Sequence, residues 1–331
     1  MCDSSLSHDD CFHAGSLLLW LGLQIYCVPS RYTHMYKEFY ELKRHPFAIT
    51  PEPVFFFPTP RHNEALANLS YGVRWRKGFV VLTGEVGTGK TLLLNCLLDI
   101  LKRVGIACAY IVNTRLTPGE FLRHMVADLQ VPTRARDKSE LLIDLNKYLI
   151  ERYRRGSTTV LIVDEAHLLD WEVLEEIRLL GNLETAQEKL LQIILVGQPE
   201  LDRNLDSPQL RQLKQRVMLR CELGPLRQHE VRSYIERRLV LAGAKPENVS
   251  FPERAVELIY EYSSGIPRII NTICDNALLI GCARRLRTIV PDIIEEVASD
   301  FHLKKLKSVP GHAELRTEVY GGVAPATMSA S

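Results

Sequence analysis

An apolar run, Phe79–Thr83, leads straight into Gly84-Glu85-Val86-Gly87-Thr88-Gly89-Lys90-Thr91, and a helix-like stretch, Lys90–Val104, follows at once. This strand–loop–helix order constrains the chain more than any other feature. The loop fits G-x-x-x-x-G-K-[ST] in the context that the pattern requires. Its glycines permit backbone angles that turn successive N–H groups inward. Those donors, at the positive end of a helix, favour an anionic phosphate. Lys90 adds a point charge for the outer phosphates, and Thr91 offers a hydroxyl to Mg²⁺. The candidate binding residues are therefore Gly84, Glu85, Val86, Gly87, Thr88, Gly89, Lys90 and Thr91.

The rest of the chain is organised around that unit. Apolar runs at Ala107–Val112, Thr159–Val163 and Gln192–Val196, and a weaker one at Val217–Glu222, predict further strands. Between them, helical spacing marks Arg61–Arg74, Pro118–Gln130, Lys138–Arg155 and Trp171–Leu183. Continuous apolar strands alternating with helices predict an α/β fold with a parallel sheet covered on both faces. From about Gln228 the strand signal stops. Helical stretches near 228–242, 252–263, 267–284 and 291–306 predict a small all-α module. Residues 35–78 are rich in aromatics and prolines, and the X-Pro steps exclude a long helix before about residue 61.

A second constellation lies at the end of the Thr159–Val163 run, where Asp164-Glu165 follows directly. Two carboxylates there stand at the carboxyl edge of a parallel sheet, where open α/β folds bind ligands. Asp164 would hold Mg²⁺ through water, and Glu165 would polarise a water attacking the outermost phosphate. The tetrad Asp164-Glu165-Ala166-His167 also matches a helicase signature, but no second nucleotide-grasping domain follows it. His167 is better read as part of a polar network. Gln198 ends the next strand and can reach both phosphate and water. Arg211, Lys214 and Arg216 precede the weak strand, and an arginine there can stabilise charge in a neighbouring subunit's site, or simply form a solvated basic face. Gly265-Ile266-Pro267-Arg268 opens an apolar helix in the all-α module, with Arg268 placed to face the phosphates.

Composition narrows the partners. Lys and Arg number 41 against 40 Asp and Glu, a net charge of +1, which argues against coating nucleic acid by charge alone. The basic stretches Arg152–Arg155 and Arg284–Arg287 read as solvated helix ends. None of the 8 cysteines has zinc-ligand spacing or forms CxxC, so a reducing, cytoplasmic compartment is expected. Gly15–Val28 is apolar but short for a bilayer span. It is read either as a weak membrane-surface anchor or, preferably, as lying upstream of a start at Met35. Residues 308–331 read as a flexible tail.

From Met35 to about Leu306 the chain resembles the AAA+ ATPases of the general secretion pathway protein A (ExeA) type, relatives of the transposition (TniB-like) ATPases. The segments carrying the resemblance are MYKEFYELKRHPFAITPEP, GFVVLTGEVGTGKT, VLIVDEAHLL, LQIILVGQPEL, LRQLKQRV and SGIPRIINTICDNALL. The resemblance implies a P-loop NTPase core at 35–225 with sheet order 5-1-4-3-2, and an α-helical lid at 226–307. It also implies a ring-type homo-oligomer binding ATP and Mg²⁺ between subunits. On that basis Gln198 is the sensor-one residue, Arg216 (or Arg211) the arginine finger and Arg268 the sensor-two arginine, and the segment from Phe47 to Arg61 lies near the adenine. ATPases of this type often continue into a peptidoglycan-binding domain. Here a short polar tail follows the lid, so no direct cell-wall domain is expected. Two functions stay open: an ATPase motor or switch for an envelope secretion, pilus or exopolysaccharide export system, cytoplasmic or peripheral at the inner membrane; and an ATP-dependent DNA-binding regulator.

Overall fold

The computed structural model describes residues 32–112 and 115–306. The expectations for the apolar run at 15–28 and the tail at 308–331 fall outside that range, whereas Met35 lies inside it, in a helix that opens at Tyr32. The elements in chain order are α1 (Tyr32–Phe39), α2 (Pro60–Arg74), β1 (Phe79–Gly84), α3 (Lys90–Arg103), β2 (Ala107–Ile111), α4 (Pro118–Asp128), α5 (Lys138–Arg154), β3 (Thr159–Val163), α6 (Trp171–Leu180), β4 (Leu191–Gly197), α7 (Glu200–Leu205), α8 (Arg211–Lys214) and β5 (Val217–Leu223). The helices α9 (Gln228–Leu241), α10 (Glu253–Ser263), α11 (Pro267–Ala283) and α12 (Pro291–Asp300) complete the chain. The last expected helix thus ends at Asp300 rather than near 306.

The five strands form one parallel sheet in the order β2-β3-β4-β1-β5, which is the expected order read from the other edge. Alternation along each strand divides the core in two. Phe79, Val81, Leu161, Val163, Ile193 and Leu195 join one layer with α4, α5 and α6. Val80, Leu82, Val160, Ile162, Ile194 and Val196 join the other with α2 and α3. Every residue of β1, β3 and β4 is buried, which is why these strands read as continuous apolar runs. Burying each Val, Leu or Ile contributes about 1.5–3 kcal/mol against the entropy of ordering the chain. At the edge, β5 leaves Met218 and Arg220 exposed, which explains its weaker signal.

The helical module has its own apolar cluster, from Val231 and Ile235 on α9 to Ile293 and Val297 on α12. Tyr36, Tyr40, Leu42 and Phe47 pack into this cluster, although the sequence reading groups them with the sheet. The tyrosine hydroxyls anchor the segment. Tyr36 donates to Asp275 Oδ1 at 2.7 Å and Tyr40 to the Leu286 carbonyl at 3.0 Å.

One tight approach fixes the lid to its linker. Leu226 N–H donates to the Gly265 carbonyl at 2.8 Å, and Gly265 sits at φ 75°, with room for no side chain: an added Cβ would stand 2.0 Å from the Leu226 carbonyl oxygen. Gly265→Ala is therefore expected to destabilise the fold by at least about 2 kcal/mol, read from urea denaturation midpoints at unchanged m-value.

Candidate nucleotide site

The cradle forms where β1 ends. Gly87 (φ 82°) and Gly89 (φ 99°) adopt left-handed backbone angles, and Gly89 caps α3 without a side-chain hydrogen bond. The first-turn N–H groups of α3 thus face the loop with no side chain of the cap competing for them. Thr88 Oγ1 donates to the Glu85 carbonyl at 2.8 Å and closes the turn. Lys90 is buried, and its ammonium donates to the carbonyls of Gly84 at 2.6 Å and Glu85 at 3.0 Å. Burial pushes its pKa down, opposed by the nearby carboxylates of Glu165, Asp164, Glu85 and Glu200. Thr91 lies one residue on, at the rim of the same cleft.

The acid pair stands one strand over. β4 lies between β1 and β3, so Asp164 and Glu165 emerge at the same sheet edge as the loop. Asp164 is buried, accepts from Tyr110 Oη at 3.0 Å through Oδ2, and accepts the Glu165 N–H at 2.9 Å through Oδ1. The bond to Asp164 raises the Tyr110 pKa further beyond what burial does. Glu165 holds a left-handed φ of 52°, a strained angle for a side chain of this kind. Its Oε2 is buried without a hydrogen bond. His167 Nδ1, 3.5 Å from it, already takes the Gln198 N–H at 3.4 Å. His167 thus joins a polar network, as expected, and links the end of β4 to the surroundings of Glu165.

The lid closes the cleft from above. The Arg268 N–H, in the first turn of α11, donates to the Gly87 carbonyl at 3.2 Å. A Cβ on Gly87 would come within 2.7 Å of Arg268 Cβ. The resulting cleft, about 350 Å³, is lined by the loop, Glu165, Arg268, the segment Ala48–Glu52 and Phe55. An apolar recess of like volume, about 350 Å³, lies elsewhere on the lid around Ile235, Leu239 and Phe251, away from every motif residue.

Of the residues expected from sequence, the loop, Asp164, Glu165 and Arg268 converge. Gln198 follows β4 at the same edge. Arg216 does not converge. Val217 pairs with Phe79 at the start of β1, roughly 17 Å of strand from the loop, and Arg216 Nη1 donates to the Arg178 carbonyl at 3.0 Å. Arg211 is exposed on α8, before the same strand. The sequence reading missed His62, Tyr110, Tyr234, Arg238 and Asn271. Only the Thr59-Pro60 helix start, which brings His62 to the first turn of α2, had a local signal.

Three comparisons bear on this arrangement. Residues 73–205 match the family model described as an AAA domain. General secretion pathway protein A of Aeromonas hydrophila is 44% identical over 257 residues, which is 77% of this chain but 46% of that protein, so the chain spans less than half its relative's length. Among solved structures, Cdc6p from Pyrobaculum aerophilum superposes with a TM-score of 0.59 at 18% identity, over 77% of this chain and 70% of the other. Drosophila ORC bound to DNA gives 0.60 at 18% identity, over 91% and 71%. At that identity the likeness is one of fold.

His62 gives the site a pH signature. Its Nε2 faces the Thr88 carbonyl at 3.4 Å, which can only accept, and its Nδ1 meets Thr59 Oγ1 at 2.6 Å. Burial holds its pKa below the ordinary 6.5. Below about pH 6.5 the unfolded chain binds the proton more readily than the folded one, so stability falls as pH drops toward the folded value. Urea unfolding between about pH 5 and 7.5 should show this decline, and His62→Gln should flatten it. With 44% identity over 77% of its length and this fold, the chain belongs to the AAA+ proteins of the general secretion pathway protein A type.

Proposed function

We propose that this chain binds ATP with Mg²⁺ in the cleft between sheet and lid and hydrolyses it. The observation that carries the reading is a single cleft lined by the glycine loop, Lys90, Thr91 and Glu165, whose side chain is 39% exposed. A carboxylate partly exposed in such a cleft is an acceptor placed for a water proton. The side chains also suit the ion. Mg²⁺ binds through one or two carboxylates plus substrate phosphates and keeps several waters. Asp164 would supply one such carboxylate, acting through water, and Thr91 a hydroxyl. Magnesium would supply charge neutralisation on the phosphates. The loop N–H groups and Lys90 would hold the phosphates, Asp164 and Thr91 the ion, Glu165 the water, and Gln198 would sense the outer phosphate. Arg268 would report phosphate loss to the lid.

Arg216 fits a finger acting in trans, since it precedes β5 at the opposite end of the sheet from the loop, away from this chain's own cleft. That makes the working form a ring-type homo-oligomer. The resemblance to General secretion pathway protein A favours an ATP-driven motor or switch for envelope secretion, pilus or export machinery over a DNA regulator. Several arginines of the basic stretches are engaged within the chain, which also favours it. Arg152 donates to the carbonyls of Gly105 and Thr158, Arg155 pairs with Glu151, and Arg284 pairs with Glu296. Phosphate binding there would have to break those pairs. Among the described residues no helix is long and apolar enough to cross a membrane, so membrane components are proposed as partners and not as part of this core.

Lys90→Ala should lower ATP affinity at least about a hundredfold by calorimetry. Glu165→Gln should keep affinity and lose turnover by about 10²–10⁴ in a phosphate-release assay. Arg216→Ala should bind ATP but not turn it over, and mixing it with Glu165→Gln subunits should restore part of the activity. Turnover unchanged by duplex DNA at low salt is the expected result, and strong, salt-sensitive stimulation would favour the regulator instead.

A further inference from the structure

Arg238 is 5% exposed, yet among the described residues no carboxylate pairs with it. Its partners are neutral. Nε donates to the Pro46 carbonyl at 2.6 Å, and Nη1 donates to Tyr234 Oη at 2.6 Å and to Asn271 Oδ1 at 3.1 Å. The guanidinium lies 4.7 Å over the Phe55 ring and 5.4 Å over Tyr234. A buried cation held only by rings and neutral acceptors keeps unspent capacity for an oxygen or nitrogen acceptor. Its Nη2 makes no hydrogen bond among the described residues.

Asn271 adds to that capacity. An arginine nitrogen can only donate, so the amide atom it meets is the oxygen, and Tyr234 Oη donates to the same oxygen at 2.8 Å. Asn271 Nδ2 is thereby turned away from the pair, and it too has no hydrogen-bond partner among the described residues. Arg238 and Asn271 both line the cleft.

Their place in the cleft selects what they would meet. Arg268 and Asn271 are three residues apart on α11 and share a face. Arg268 stands against the loop through the Gly87 carbonyl, and Asn271 stands about one turn further along. Beside that second position lies the Phe55 ring, 4.7 Å from the Arg238 guanidinium, and the segment Ala48–Glu52, which mixes Ala48, Ile49 and Pro51 with Thr50 and Glu52, lines the same cleft. Phosphates seated on the loop leave the sugar and base in this part.

We propose that Arg238 Nη2 and Asn271 Nδ2 form a donor edge on the lid that reads acceptor atoms of the nucleoside, apart from the phosphate contacts. This rests on the nucleotide reading of the cleft. The test uses the full chain with MgATP and, separately, inorganic tripolyphosphate with Mg²⁺, by calorimetry, with thermal-melt shifts for weak binding. Asn271→Ala, at a half-buried position, and Arg238→Lys are compared, each first checked for a cooperative melt. Each variant should lower ATP affinity about tenfold and leave tripolyphosphate affinity within about twofold. An equal loss for tripolyphosphate would make the pair a phosphate contact and overturn the proposal. Unchanged ATP affinity in folded variants would leave Arg238 as a bracket for Pro46, and would overturn it as well. If Arg238→Lys does not fold, Asn271→Ala alone decides. Failure of the unaltered chain to bind ATP would defeat the nucleotide reading itself, a separate result.

Discussion

The Arg268 N–H to Gly87 carbonyl bond joins the helical module to the glycine loop of the sheet at the edge of the proposed nucleotide cleft. It satisfies one of the first-turn donors of α11, which otherwise lacks a side-chain cap. It also requires the phosphate loop to carry no side chain at 87, since Ile266 and Arg268 fill that space. The loop is thus shaped on one side by the backbone geometry of β1 and α3 and on the other by the lid. Any displacement of the loop backbone meets α11 through this backbone hydrogen bond and through the close packing of Ile266 and Arg268 on Gly87. That is a short mechanical path from phosphate to lid.

A second connection runs the other way. The segment before α2 begins in the lid, where Tyr36 and Tyr40 anchor it, and Lys43 N–H donates to the Ala242 carbonyl at 2.7 Å. It then passes over the cleft, and Asn95 Nδ2 on α3 reaches the Pro51 carbonyl at 3.3 Å. It continues into α2, whose His62 touches the loop at Thr88. One strap therefore contacts lid, cleft wall and phosphate loop in turn. Phe55 and Arg238 form its midpoint, stacked at 4.7 Å. A lid movement has to carry this strap or break its tyrosine anchors.

The legible parts of this fold were those whose physics is local. Val160–Val163 is buried on both faces, so it reads as an unbroken apolar run, and Asp164 follows it without a gap. The phosphate loop is likewise contiguous. Tyr110 was hidden because its bond to Asp164 spans neighbouring strands, and a half-buried tyrosine in an edge strand looks like ordinary packing. Tyr234, Arg238 and Asn271 were hidden for a related reason. They meet from two helices, and on α9 alone Arg238 looks like one more charge in the polar run Glu236-Arg237-Arg238. Pairing of Tyr36 with Asp275 crosses 239 residues, a separation that no periodicity encodes. The overrun of the last helix beyond Asp300 has a simpler origin: apolar spacing continues through Phe301 and Leu303, but Leu303 N–H closes onto the Ala298 carbonyl at 2.8 Å and ends the helix.

The charges in the cleft bear on why the acids and the loop belong together. Lys90 is desolvated enough to depress its pKa even with four carboxylates acting to raise it. A phosphate chain on the loop adds further negative charge near the ammonium and so favours its protonated form. The same chain is repelled by Asp164 and Glu165, which lie close enough to act on Lys90. Without an intervening cation, anion and acids would oppose one another in a partly dry site where charges are weakly screened. In the nucleotide reading, a divalent ion between them is therefore what makes the two motifs compatible. In that reading Asp164, tied to Tyr110 and to the Glu165 backbone, would hold the ion, while Glu165, with no hydrogen bond on Oε2 and a side chain 39% exposed, would meet the water. The division of labour between the two neighbouring carboxylates would then follow from their hydrogen bonds and exposure rather than from their shared chemistry.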